Sequence, residues 1–133
     1  MEPSAELLEL ILFALDHGIE SVRGGGMIPF LATMGKRPTL QRFVADSADR
    51  GREMAEQAAS NLATDVNLYA LAVDGYLRGE TGEEQDAILV EAGQRGGETA
   101  FLFAQTYLPK DVTQDLQLLG KPKLVGETAN RLE

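Results

Sequence analysis

Three strand-length apolar runs follow one another between Val66 and Tyr107, and only short glycine-bearing turns separate them. The runs are Val66 to Leu77, Ala87 to Ala92 and Thr99 to Tyr107. The first turn, Arg78 to Glu84, holds Gly79 and Gly82; the second runs from Gly93 to Gly97. Parallel pairing needs a crossover of a dozen residues or more, so connections this short imply antiparallel neighbours. Pro109 ends the third run.

The residues before this meander predict a helix, a hairpin and a second helix. Residues 4–17 form the first helix, opened by Pro3 or Ser4 and closed by Gly18 in a left-handed cap. At 100° per residue, Glu2, Glu6, Glu9, Asp16 and His17 gather in one stripe, with Phe13 inside it. The other positions, including Leu7, Leu8, Leu10, Ile11, Leu12, Ala14 and Leu15, cover an arc of about 220°, wider than one small core needs. Leu8, Leu12, Phe13 and Leu15 are therefore the candidate contacts with a second copy.

After Gly24-Gly25-Gly26 come an apolar run, Met27 to Met34, the turn Gly35-Lys36-Arg37-Pro38, and an alternating run, Thr39 to Phe43. Pro29 lacks a backbone donor and suggests an edge strand or a bulge. The second helix spans 45–63. Val44, Ala48, Gly51, Ala55, Ala58 and Leu62 step by 4, 3, 4, 3, 4 along one face of small residues that suits close packing on a sheet. The segment 111–133 is less regular, with short edge strands suggested at Leu116 to Leu119 and at Leu124-Val125. Leu132-Glu133 is read as the scar of a purification tag and carries no weight.

The fold class implied is α+β: one globular domain over 1–133, an antiparallel sheet of about five strands, two main helices, and the order α-β-β-α-β-β-β. This element order is similar to that of roadblock and profilin-like domains. Such folds host many functions, and no residue motif here carries an activity across.

The formal charge is −9, which weighs against nucleic acid and against an anionic membrane surface as partners. No run approaches the roughly 20 apolar residues of a membrane span. There is no cysteine, so disulfides and thiolate chemistry are absent. With acids and no base in the first residues, no secretory signal is read. The cytoplasm is the expected location.

Four features bear on chemistry. Between Ser21 and Ala45 there is no acid, yet Arg23, Lys36, Arg37 and Arg42 are present, and Gly24 to Gly26 can turn backbone N–H groups toward an anion. This is no P-loop, because Phe30 and Arg37 stand where that motif needs Gly and Ser or Thr. Asp74 and Glu91 interrupt apolar strand faces and would serve as acid, base or cation ligand if they met in one cleft; alternatively each sits near a strand end or pairs with Arg23, Arg42 or Arg95. His17 stands alone and suits the negative end of the first helix. Phe101, Phe103, Gln105 and Tyr107 alternate on one strand face, with core packing the better reading than base stacking.

The sequence thus points first to a non-enzymatic cytoplasmic domain working by self-association, a dimer, or through a protein partner. It expects no cofactor, no metal, no nucleic acid and no membrane. The alternative is a binding protein or small enzyme for an anionic ligand, using Arg23, Lys36, Arg37, Arg42, Asp74 and Glu91.

Overall fold

The computed structural model describes residues 2–132. Among these residues two helices, α1 (Ala5–Arg23) and α2 (Ala48–Ala59), accompany seven strands: β1 (Phe30–Met34), β2 (Pro38–Arg42), β3 (Leu68–Arg78), β4 (Glu84–Gln94), β5 (Thr99–Leu108), β6 (Gln117–Leu118) and β7 (Lys123–Ala129). All pairings are antiparallel, in the order β2-β1-β3-β4-β5. β6 and β7 share the outer edge of β5, one at Tyr107-Leu108 and the other along Thr99–Ala104. The α+β class and element order are those the sequence implies. The two tail strands, β6 with two residues and β7 with seven, raise the strand count above five.

The sheet sorts its residues by parity. Leu68, Ala70 and Ala72 of β3, with Ile88, Val90 and Ala92 of β4, meet Leu7, Leu10, Ile11, Ala14, Leu15 and Ile19 of α1. Tyr69 and Leu71 face the other way, toward Ala55 and Ala59 of α2. Each fully buried Leu, Ile or Val side chain in these layers contributes roughly 1.5–3 kcal/mol relative to exposure. The aromatic face of β5 is core, as expected: Phe101 and Tyr107 are buried under α1.

Several element boundaries differ from the sequence reading, each for a packing reason. Gly18 does not end α1. The helix runs on to Arg23 and is capped by Gly24. Gly18 sits where α1 presses on β4, since a Cβ there would lie 2.8 Å from Cγ2 of Ile88. His17 is consequently not in a last turn; it stacks on Phe13 and meets Phe30 edge-on. Pro29 lies just before β1, which is an interior strand, and the edge is β2. Helix α2 is shorter than 45–63, because Ser47 caps its start by accepting from the Arg50 N–H. Val44 therefore falls outside it and is exposed. Gly51 permits the close approach anticipated for it, as its Cβ would lie 3.0 Å from the Phe43 carbonyl oxygen.

The tail is more ordered than its composition suggests. Leu132 is buried in the α2-side core, and Arg131 beside it is anchored to α2 and β4. Leu132, given no weight in the sequence reading, packs as a core residue, and Glu133 lies outside the described residues.

Candidate functional site

The hairpin β1–β2 is the open end of the sheet. β1 is sandwiched between β2 and β3, whereas all five residues of β2 are exposed. The Phe43 N–H donates to the Pro29 carbonyl. By strand alternation, Thr39 and Gln41 turn their backbone groups toward β1, and Leu40 and Arg42 turn theirs outward. Pro38, at the strand start, offers a carbonyl there but no N–H.

A groove of about 390 Å³ runs between this hairpin and α1. Leu10, Ala32 and Leu68 form its floor. Phe13, Met34 and Leu40 line it while remaining 48%, 38% and 37% exposed. Glu6 and Glu9 border it beside Met34 and Pro38. Arg42, at the other end of β2 and on the same face, places Nη2 3.3 Å from Nε2 of His17. The edge strand thus carries acid at one end of its α1 side and base at the other.

On the opposite face a larger cleft, of about 920 Å³, separates the hairpin from α2. Leu31, Phe43, Met54 and Leu62 give it apolar walls. The hydroxyls of Thr33 and Thr39 are hydrogen-bonded to each other within it. Lys36 and Arg37 reach it from the hairpin turn and Arg50 from α2.

The residues singled out from the sequence do not form one site. Lys36 and Arg37 border the large cleft. Arg42 lies at the far end of β2, and Arg23 is engaged by Glu20 at 2.5 Å and Asp115 at 3.8 Å. Gly24 to Gly26 hold no anion cradle, because their N–H groups donate to the carbonyls of Glu20, Val22 and Ser21 at the end of α1. Among the helix residues proposed for contact, Leu15 is buried in the core. Leu8 and Leu12 are half-exposed, about 100–140° around the helix from Phe13. Phe13 alone of the four faces the hairpin groove.

Asp74 and Glu91 lie on opposite faces of the sheet, so they share no cleft. Asp74 pairs across from Ile88 on the α1 face, and its Oδ1 accepts from the Tyr107 hydroxyl at 2.7 Å. Burial pushes the Asp74 carboxyl up from its ordinary range, assisted by the charge of Asp86 and opposed by the Tyr107 hydrogen bond. Glu91 pairs across from Leu71 on the α2 face. Its partners are Arg131 and the Tyr69 hydroxyl, not Arg23, Arg42 or Arg95. Burial, with the Glu91 hydrogen bond, pushes the Tyr69 hydroxyl well up. Arg95 instead braces the loop before β3, donating to the Val66 and Ala63 carbonyls.

Sequence reasoning missed Met34, Leu40, Glu6 and Glu9 in the groove, and Thr33, Thr39 and Arg50 in the cleft. Thr33 and Thr39 stand symmetrically about the Gly35-Lys36-Arg37 turn, which was a readable sign that they face one another. Among the described residues, no group of three His, Asp or Glu side chains is placed to hold a metal ion, and no helix is long and apolar enough to cross a membrane. No family model matches the chain, and neither a curated protein nor a solved structure does.

Proposed function

We propose that this protein is a cytoplasmic, non-enzymatic module that works by pairing with a second copy of itself along β2. The observation that carries this reading is the free edge strand with exposed Phe13, Met34 and Leu40 on one side of it. An unpaired edge is a template for another strand, and apolar side chains beside it add a burial gain.

A two-fold axis through Leu40 suits the chemistry of the strand. It sets the outward N–H and C=O of Leu40 against those of the partner's Leu40, and the Arg42 N–H against the partner's Pro38 carbonyl. The partner's Pro38 has no N–H for the Arg42 carbonyl, so that carbonyl is left to water at each end of the paired segment. Antiparallel pairing about this axis keeps both α1 helices on one side of a continuous sheet, so the two grooves join. It also brings each Arg42 to the partner's Glu6 and Glu9 end, where opposite charges meet.

The reading as a binding module rests also on Asp74 and Glu91, both of which are held by neighbouring side chains. Glu91 is engaged by Arg131 and Tyr69, and Asp74 by Tyr107. The cytoplasmic placement is supported by the lack of cysteine.

Sedimentation equilibrium from micromolar to hundreds of micromolar tests the proposal. A dimer is expected for the native chain, and a monomer with unchanged circular dichroism for Leu40→Lys. A native monomer throughout that range overturns it. So does a dimer that survives Leu40→Lys but dissociates on Leu12→Lys, which would place the contact on the other flank of α1.

A further inference from the structure

We infer that the cleft between β1–β2 and α2 is a binding site for a small organic anion, one with a phosphate or carboxylate on an apolar body. Three observations converge on it. The first is charge. Lys36, Arg37 and Arg50 line the cleft, whereas Asp65 is its one carboxylate among the described residues. The chain as a whole carries −9, so this is a local reversal of sign. Neither Lys36 nor Arg37 has an ion-pair partner among the described residues. Arg50 has one, Nη1 lying 3.3 Å from Oε2 of Glu53.

The second is arrangement. The cations come from two elements, the hairpin turn and α2, whereas a solvated run of charge would lie on one. Between them the cleft is apolar, with Leu31, Phe43, Met54 and Leu62, and Gln41, Gln57 and Asn61 add amide groups. An anion with a non-polar body matches both surfaces at once. The cleft volume of about 920 Å³ lies within the range that encloses small ligands.

The third is that the backbone around the cleft is already held. A Cβ on Gly35 would lie 2.5 Å from the Asp65 carbonyl oxygen, so turn and loop touch. Asn67 donates its N–H to the Met34 carbonyl, and Arg95 ties Val66 and Ala63 to the sheet. At the other end Gly51 packs against the Phe43 carbonyl. The spacing between hairpin and α2 is thus set before a ligand arrives, which lowers the ordering cost of binding.

The test uses three probes with one apolar body: 1-naphthyl phosphate, 1-naphthoate and uncharged 1-naphthol. Each is titrated into isotopically labelled protein, followed by amide chemical shifts. One or both anions are expected to bind saturably, shifting the amides of 33–37, 39 and 61–66, with naphthol at least tenfold weaker. Whichever anion binds more tightly tells a phosphate site from a carboxylate site. The exposed double substitution Lys36→Gln with Arg37→Gln should weaken the anions at least tenfold and leave naphthol unchanged. Equal binding of naphthol, shifts confined to other parts of the chain, an unweakened double variant, or no saturable binding by either anion at millimolar concentration overturns the inference.

Discussion

The Arg131 guanidinium clasps the Glu91 carboxylate with two hydrogen bonds, Nε to Oε2 at 2.6 Å and Nη2 to Oε1 at 3.2 Å. The Tyr69 hydroxyl donates to the same Oε2 at 2.6 Å, and Arg131 Nη1 reaches Oγ of Ser60 at 2.6 Å. One residue near the chain end thus joins β4, β3 and the end of α2. The contact with Glu91 holds the Arg131 charge in place and pushes its already high pKa further up.

Removing one partner of this pair should cost more than removing both. The side chains are only 22% and 14% exposed, so Arg131→Met leaves Glu91 poorly solvated and short of donors. A loss of about 2–3 kcal/mol in unfolding free energy is expected, somewhat below that for a fully buried pair. Arg131→Met combined with Glu91→Met should recover at least half of it. Urea denaturation of the single and double variants measures both. A double variant that loses as much as Arg131→Met and Glu91→Met added together would show that the pair has no coupling.

Gly18 should resist even the smallest enlargement. Alanine gains about 1 kcal/mol of helix propensity over glycine. Its methyl would stand 2.8 Å from Cγ2 of Ile88, and overpacking of this kind costs typically 1–3 kcal/mol. Gly18→Ala is therefore expected to lower the melting temperature. Gly26→Ala, with nothing within 4 Å of the added carbon, should leave it within a degree or two. Thermal scans of the two variants provide the comparison.

Asp74 makes stability depend on pH in a direction unusual for an acid. Its folded pKa is raised by burial, so the neutral form is favoured in the folded state. Its contribution is fully present below the ordinary value of 3.8 and is lost as pH rises through the higher folded value. Asp74→Asn keeps an oxygen for the Tyr107 hydroxyl and removes the charge. It should melt higher than the native chain at pH 7, and the gap should close at pH 3. A gap that persists at pH 3 would mean that charge burial is not the cause.

The edge pairing proposed for β2 carries a charge signature. Arg42→Glu should weaken the dimer about tenfold at low salt by facing the partner's Glu6 and Glu9 with a like charge. Adding Glu9→Arg should restore part of the affinity. Raising salt toward 1 M should shrink both effects, because the Debye length falls to about 3 Å. Sedimentation at two ionic strengths reads all four combinations.

Features set by neighbouring residues are legible in the sequence. The β3–β4–β5 meander follows from period-two alternation and glycine turns, and Ser4 marks the start of α1, all of it within a few residues. The net charge and the basic stretch around Lys36 and Arg37 were equally plain.

Other features needed the partner strand or helix. Gly18 looks like a helix stop until Ile88, distant in sequence, is seen to occupy the space where its Cβ would be. Asp74 and Glu91 looked combinable until the β3–β4 register placed Asp74 opposite Ile88 and Glu91 opposite Leu71, on opposite faces. The same register, with the fold of the tail, gave Glu91 its partner in Arg131. Sequence by itself determined what each segment is, because propensity and turn chemistry act over a few bonds. Only the tertiary structure decided which edge stays open, which cations share a cleft and which acids are already paired. Those outcomes depend on the order and parity of strands that are far apart along the chain.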